Sequence, residues 1–166
     1  MLVSRLSHPK VLLKWGLGIV GFLLVAIQFV PYGHNHTNPP VTREPAWNSP
    51  ETRELAARAC FDCHSNRTDW RWYTNLAPVS WYTQHDIDNA RRRLNFSEWD
   101  KPQREARGAA NEVRRGEMPP STYLPVHPEA KLTDQERQIL IDGLRATVAN
   151  DPPPPAPSGS GGRRGG

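Results

Sequence analysis

Sulfur is scarce in this chain of 166 residues: it has two cysteines, Cys60 and Cys63, and one methionine, Met118, besides the initiator. Apolar residues are also few, at 37% against the roughly 45–50% of an ordinary globular domain. That shortage excludes a large core, and the length excludes a multi-domain enzyme. Charge of one sign is missing where it would matter. The chain carries +4 overall with a pI near 9.4, yet Pro31 to Asn150 holds 16 basic and 16 acidic residues. The basicity belongs to the ends and the folded part is formally neutral, so the pI is poor evidence for the basic face of a nucleic-acid binder, and no nucleic-acid partner is expected. No strand-like alternation and no internal repeat are visible. What remains is a chain heavy in breakers, 17 Pro and 12 Gly, with helical signals between them.

One long apolar run stands out. Val11 to Val30 reads VLLKWGLGIVGFLLVAIQFV, about 30 Å as a helix at roughly 1.5 Å per residue, enough to cross a bilayer. Arg5, Lys10 and Lys14 precede or open it, and no Lys or Arg follows until Arg43. The positive-inside bias therefore puts residues 1–10 in the cytoplasm as a basic tail and everything after Val30 outside. A cleaved secretory signal has the same charge pattern, but the sequence after the run (Gln28, Phe29, Val30, Pro31, Tyr32) lacks the small-x-small cleavage signature. The reading favoured is a retained, single-pass anchor over 11–30 in a bacterial cytoplasmic membrane, with a periplasmic or extracytoplasmic domain.

Residues 31–48 contain four prolines and little periodicity, and read as an extended tether in which His34 and His36 are solvated. From Asp151 the chain runs DPPPPAPSGSGGRRGG to residue 166, a low-complexity tail expected to be disordered. Between these lies a domain over 49–150 with about four helices. Ser49 and Pro50 form an N-cap and first-turn pair for a helix running into the cysteines. A second helix is predicted from Val79 to Leu94. Asp100 with Gln103 resembles a capping box for a third, which Gly116 closes, and Thr133 with Glu136 opens a fourth, continuing to about Ala149. The fold class is small and all-α, cytochrome c-like.

Cys60, Phe61, Asp62, Cys63 and His64 spell C-x-x-C-H, the pattern of covalent c-type haem attachment. Two thiols three positions apart can add to the two vinyl groups of one haem, and the adjacent His can place its imidazole on the iron as proximal ligand. Such attachment occurs outside the bacterial cytoplasmic membrane, in agreement with the export signal. A redox-active C-x-x-C expects a preceding strand, a structural zinc expects further cysteines, and a disulfide closing so small a loop leaves His64 unexplained.

Met118 sits in Gly-Glu-Met-Pro-Pro just past a predicted helix end, where a proline-braced loop can hold a thioether against the open face of the iron. It is the candidate distal ligand, with His85 and His127 as competitors. Trp70, Trp72, Tyr73, Trp81, Tyr82, Phe96 and Trp99 form a dense aromatic stretch that can either wall a haem or fill the core. Arg91, Arg92 and Arg93 suit propionates or a docking patch, though such a run is more often a solvated helix face. Asp62 and Glu117 are further docking candidates.

The run CFDCHSNRTDWRWYTNLAPVSWYTQHDIDNARRRLNFSEW, followed by GEMPPSTYLPVHPEAKLTDQER, resembles the haem-binding domain family of small bacterial membrane-anchored or exported c-type cytochromes. The resemblance covers about Ser49 to Leu144 and is carried by CHSN at Cys63–Asn66, APVSW at Ala77–Trp81, LNFSEW at Leu94–Trp99, and MPP with the downstream HPEAKL. Arg71 departs from it where related sequences often have proline between two aromatics, which bears only on local loop shape. The resemblance implies one covalent haem c on Cys60 and Cys63, His64 proximal and Met118 distal. The expected function is single-electron transfer outside the membrane, not enzymatic catalysis, with membrane or exported redox proteins as donor and acceptor. The alternatives are a haem sensor or small peroxidase with a labile distal position, and a haem-bearing structural subunit of a membrane redox complex.

Overall fold

The computed structural model describes residues 9–156. Most of the predicted basic tail, residues 1–8, and the end of the predicted disordered tail, residues 157–166, lie outside the described residues. Those described contain six α-helices and no strands, so the all-α expectation holds. The helices are α1 (Pro9–Ala26), α2 (Pro50–Ala59), α3 (Phe61–His64), α4 (Val79–Arg93), α5 (Ala109–Arg115) and α6 (Asp134–Asn150). They fall in two units, with α4 contributing to both. One combines the described residues up to His36 with Trp70–His85, and the other combines Thr37–Asp69 with Asp86 onward.

In the first unit, α1 leads into a 3-10 turn, Ile27–Phe29. Val11–Phe29 is the one helical segment among the described residues long and apolar enough to cross a membrane, with mean hydropathy 2.0 and its side chains exposed. The chain after it is largely exposed, His34 included, as the tether reading expects, but it is fastened at several points. Gln28 donates from Nε2 to the Ala77 carbonyl at 2.9 Å and accepts from the Ala77 N–H at 2.9 Å. His36 stacks on Trp70 with ring centroids 4.4 Å apart, its Nε2 3.1 Å from the Thr74 carbonyl. Gly33, at φ 80°, lies so close to the backbone of Ser80 that a Cβ would meet the carbonyl oxygen at 2.5 Å. Proline and polarity made this stretch read as linker, but backbone and side-chain hydrogen bonds hold it in place without any apolar periodicity.

In the second unit, α2 and α5 pack on α6. Leu55, Ala56 and Ala59 of α2, Ala110 and Val113 of α5, and Leu140, Ile141 and Leu144 of α6 form one buried cluster with Phe61, Leu94, Phe96, Trp99, Ala106 and Leu132. Helices α2 and α6 come close at Gly143, where a Cβ would fall 2.1 Å from Thr52 Oγ1. Thr133 and Glu136 form the capping box expected for α6, and Gly116 closes α5 at φ 74°. Asp100 and Gln103 do not form one. Helix α5 begins at Ala109, because the Gln103 side chain is already committed, accepting from Asn95 N–H at 2.7 Å and donating to the Glu98 carbonyl at 2.7 Å.

The later part of the predicted tether also packs here. Glu44 receives a bidentate pair from Arg53 at 2.7 and 2.9 Å and lies 3.0 Å from Arg67, so its carboxyl is held below the usual range chiefly by the Arg53 hydrogen bonds. Trp47 sits against Phe61 and Phe96. Asp151, assigned to the tail from the sequence, accepts from the Ala46 N–H at 2.8 Å, pairs with Arg43, and takes the Trp99 indole N–H on its carbonyl at 2.8 Å.

Candidate functional site

Helix α2 starts where Ser49 Oγ accepts the Thr52 N–H at 3.1 Å, with Pro50 in its first turn. It stops at Cys60, whose φ of −129° breaks the helical path before α3 begins. The His64 N–H bonds the Cys60 carbonyl at 2.8 Å and the Cys63 N–H reaches it at 3.2 Å. Both thiols and the imidazole are thereby carried on one turn, as the spacing predicts.

Burial pushes both thiols up to about 12, with Cys63 adding to the effect on Cys60, and Asp62 to that on Cys63. They are neutral thiols at pH 7. A redox-active C-x-x-C needs a thiolate, which this environment opposes. Among the described residues no group of three or more His, Cys, Asp or Glu side chains is placed to hold a bare metal ion, so a structural zinc finds no ligand set.

His64 is fixed by its second nitrogen. Nδ1 lies 3.0 Å from the Leu94 carbonyl, which can only accept, and this assigns the proton to Nδ1 and the lone pair to Nε2. Burial lowers the imidazole pKa, so the ring is neutral and available as a ligand. The loop that supplies this carbonyl is locked to the same turn. Phe96 N–H donates to the His64 carbonyl at 2.8 Å, Asn95 Nδ2 to Asn66 Oδ1 at 2.8 Å, Asn66 N–H to Ser97 Oγ at 2.9 Å, and Ser97 N–H to Asn95 Oδ1 at 2.9 Å. Asn66, Asn95 and Ser97 are buried. CHSN and LNFSEW are separate segments of the sequence; in space they are one hydrogen-bonded assembly behind the imidazole.

Met118 follows the left-handed cap of α5, its N–H directed at the Glu112 carbonyl at 3.4 Å. It is half-buried and packs against the same apolar cluster as Cys60. The competitor His127 is buried beside the motif, stacked on Tyr123 at 3.7 Å with Nδ1 3.6 Å from Asp62 and 3.4 Å from Glu129. Tyr123, which nothing in its sequence context marked, donates to Asp62 Oδ2 at 2.6 Å, and burial together with that carboxylate raises its pKa. Asp62 is thus tied into the fold beside the two cysteines. His85 lies on α4 in the first unit.

The aromatic stretch divides. Phe96 and Trp99 stack in the core, Trp70 stacks on His36, and Trp72 and Tyr82 are exposed. The arginine run divides too. Arg91 is no solvated residue, since its guanidinium bonds the Ser65 carbonyl at 2.8 Å and Thr68 Oγ1 at 2.9 Å, whereas Arg92 pairs with Asn89 and Arg93 with Glu105. A polar cleft of about 410 Å³ bordered by Asn66, Asp88, Arg91 and Lys101 includes none of Cys60, Cys63, His64 and Met118.

The site is thus a half-buried turn on a small helical domain that carries two thiols and a tautomer-fixed imidazole, an arrangement compatible with a large planar iron group. The chain belongs to the haem-binding domain family, whose model matches residues 22–146. No curated protein and no solved structure matches it.

Proposed function

We propose that this protein is a membrane-anchored monohaem c-type cytochrome that carries single electrons on the extracytoplasmic side of a bacterial membrane and is not an enzyme. The observation that carries the reading is the 3.0 Å contact of His64 Nδ1 with the Leu94 carbonyl, on a turn that also holds both thiols. That contact leaves Nε2 as the ligating nitrogen. Cys60 and Cys63 would hold the haem covalently, His64 would be the proximal ligand and Met118 the distal one. When bound, the haem supplies the one-electron couple.

The chain's own residues do the rest. The Leu94 carbonyl orients the imidazole and raises its basicity by accepting from Nδ1, and the Asn66–Asn95–Ser97 assembly holds the loop that carries this carbonyl. Phe61 and the surrounding apolar cluster exclude water. The hydrophobic segment Val11–Phe29, with Lys14 and the cationic residues before it, supports anchoring with the N-terminus inside. Confinement to the bilayer raises the effective concentration of the domain at membrane or exported redox partners.

The test is the chain matured with the bacterial haem-attachment machinery. Haem should remain with the polypeptide on a denaturing gel and be lost in Cys60→Ala with Cys63→Ala. The oxidised spectrum should show the long-wavelength band of methionine-ligated ferric haem, absent in Met118→Ala, and the reduced protein should be inert to carbon monoxide. Prompt carbon monoxide binding by the wild type would refute electron carriage and support a sensor or peroxidase.

A further inference from the structure

We propose that Trp72, Leu76, Val79 and Tyr82 form a bilayer-contact surface that seats in the lipid headgroup layer where the anchoring helix ends. The inference rests on the membrane-anchored reading. These four large side chains are 76%, 48%, 44% and 60% exposed. Single exposed apolar residues are ordinary, but a group of them within one short segment marks a contact surface.

Three attachments say what covers it. Gln28 stands at the end of the apolar segment Val11–Phe29 and holds both backbone groups of Ala77 at 2.9 Å. Gly33 packs on the Ser80 carbonyl, and His36 stacks on Trp70. The segment from Trp70 to Ser80 is therefore fixed beside the residues that leave the bilayer, not carried at the end of a loose linker. Leu76 and Val79 are one and two residues from Ala77, so their Cα atoms lie within about 8 Å of it at roughly 3.8 Å per residue. That distance is comparable to the headgroup layer, about 5–8 Å deep on each side of the hydrocarbon.

The chemistry matches the place. Tryptophan and tyrosine favour the membrane–water interface, where the ring is buried and the polar tip stays wet. Phe29 and Tyr32, 83% and 45% exposed, extend the same belt from the helix side. From Trp70 to His85 there is no acidic residue, and Arg71 is the single Lys or Arg, so nothing in the segment repels an anionic leaflet.

The experiment uses full-length, haem-loaded protein in vesicles of mixed zwitterionic and anionic phospholipid bearing a photoreactive diazirine near the glycerol. After irradiation and digestion, label is expected in peptides covering 72–82 as well as in 11–30, and not in α6. Label in 11–30 without label in 72–82 overturns the surface while leaving the anchor standing. No label in either overturns the anchored reading and the surface with it. The combined variant Trp72→Ser, Leu76→Ser, Val79→Ser and Tyr82→Ser should keep the label in 11–30, lose it from 72–82 and leave the haem spectrum unchanged. A wild type unlabelled in 72–82 whose spectrum shifts on these substitutions would instead make them part of the haem wall.

Discussion

Replacing Asn95 with alanine tests whether the assembly behind His64 holds the site together. The Asn95 amide makes two buried side-chain hydrogen bonds, giving Nδ2 to Asn66 Oδ1 and receiving the Ser97 N–H on Oδ1. Truncation orphans both partners, and Asn66 and Ser97 are only 3% and 1% exposed. Each unsatisfied buried group costs about 1–3 kcal/mol, so Asn95→Ala should cost at least about 2 kcal/mol. For a domain of this size that is a fall in Tm of roughly 6–12 °C. Asn95→Asp should cost at least as much, since it keeps the acceptor for Ser97 but sets an oxygen against Asn66 Oδ1 and buries an unpaired carboxylate. As a control, Asn75 bonds only within its own exposed turn, and Asn75→Ala should stay within about 0.5 kcal/mol. The assay is thermal unfolding of the haem-loaded protein, followed by far-ultraviolet circular dichroism and haem absorbance together. An Asn95→Ala midpoint indistinguishable from wild type would refute the claim that this assembly braces the imidazole.

Four further outcomes follow from the same geometry. Gly143→Ala places a methyl inside the Thr52 side chain and should destabilise by about 1–3 kcal/mol, with Thr52→Ala in the same chain recovering part of the loss in a double-mutant cycle. Glu136 is held at about 2, first by the Thr133 N–H and then by Arg58 and the Thr133 hydroxyl. Because this carboxyl is depressed on folding, its contribution is present above the ordinary value of 4.5 and lost as pH falls towards about 2. Glu136→Gln should therefore flatten the loss of stability across that acid window in pH-dependent melts. Met118→Ala should abolish the methionine-ligand band while costing less than the roughly 2–5 kcal/mol of a fully buried truncation, because Met118 is half-buried; a large stability loss with an intact band would make it a core residue. Tyr123→Phe removes the hydroxyl that donates to Asp62, and because that carboxylate is only half-buried and can turn to water, the stability of the fold should fall by about 0.5–1.5 kcal/mol.

The helices were legible because their signals are local. Ser49 and Thr133 cap the helices that follow them, Gly116 ends α5 in the left-handed region, and the C-x-x-C-H spacing needs only one turn to bring its three groups together. The failures share a cause as well. Asp100 and Gln103 have the right spacing for a capping box, but Gln103 serves Asn95 and Glu98 instead, and spacing within one segment cannot register a competitor that folding brings from another. Residues 31–48 looked like linker because hydrophobic periodicity is the usual sign of packing, whereas His36, Asn38 and Glu44 are held by hydrogen bonds that leave no period in the sequence.

The group on which the site depends most is a backbone carbonyl, that of Leu94. A carbonyl carries no residue identity, so no reading of side chains could single it out as the acceptor for His64. What the sequence does contain is its support: Asn66 two positions after the histidine, and Asn95 and Ser97 flanking Phe96. These are small polar residues in a domain short of apolar ones, and their burial makes sense only when they are paired with one another. The scarcity of aliphatic residues and the polar lock behind the imidazole are thus connected. A core too small to hold the loop at Leu94 by apolar packing alone holds it by a closed set of hydrogen bonds, and those bonds determine which nitrogen of His64 keeps its lone pair.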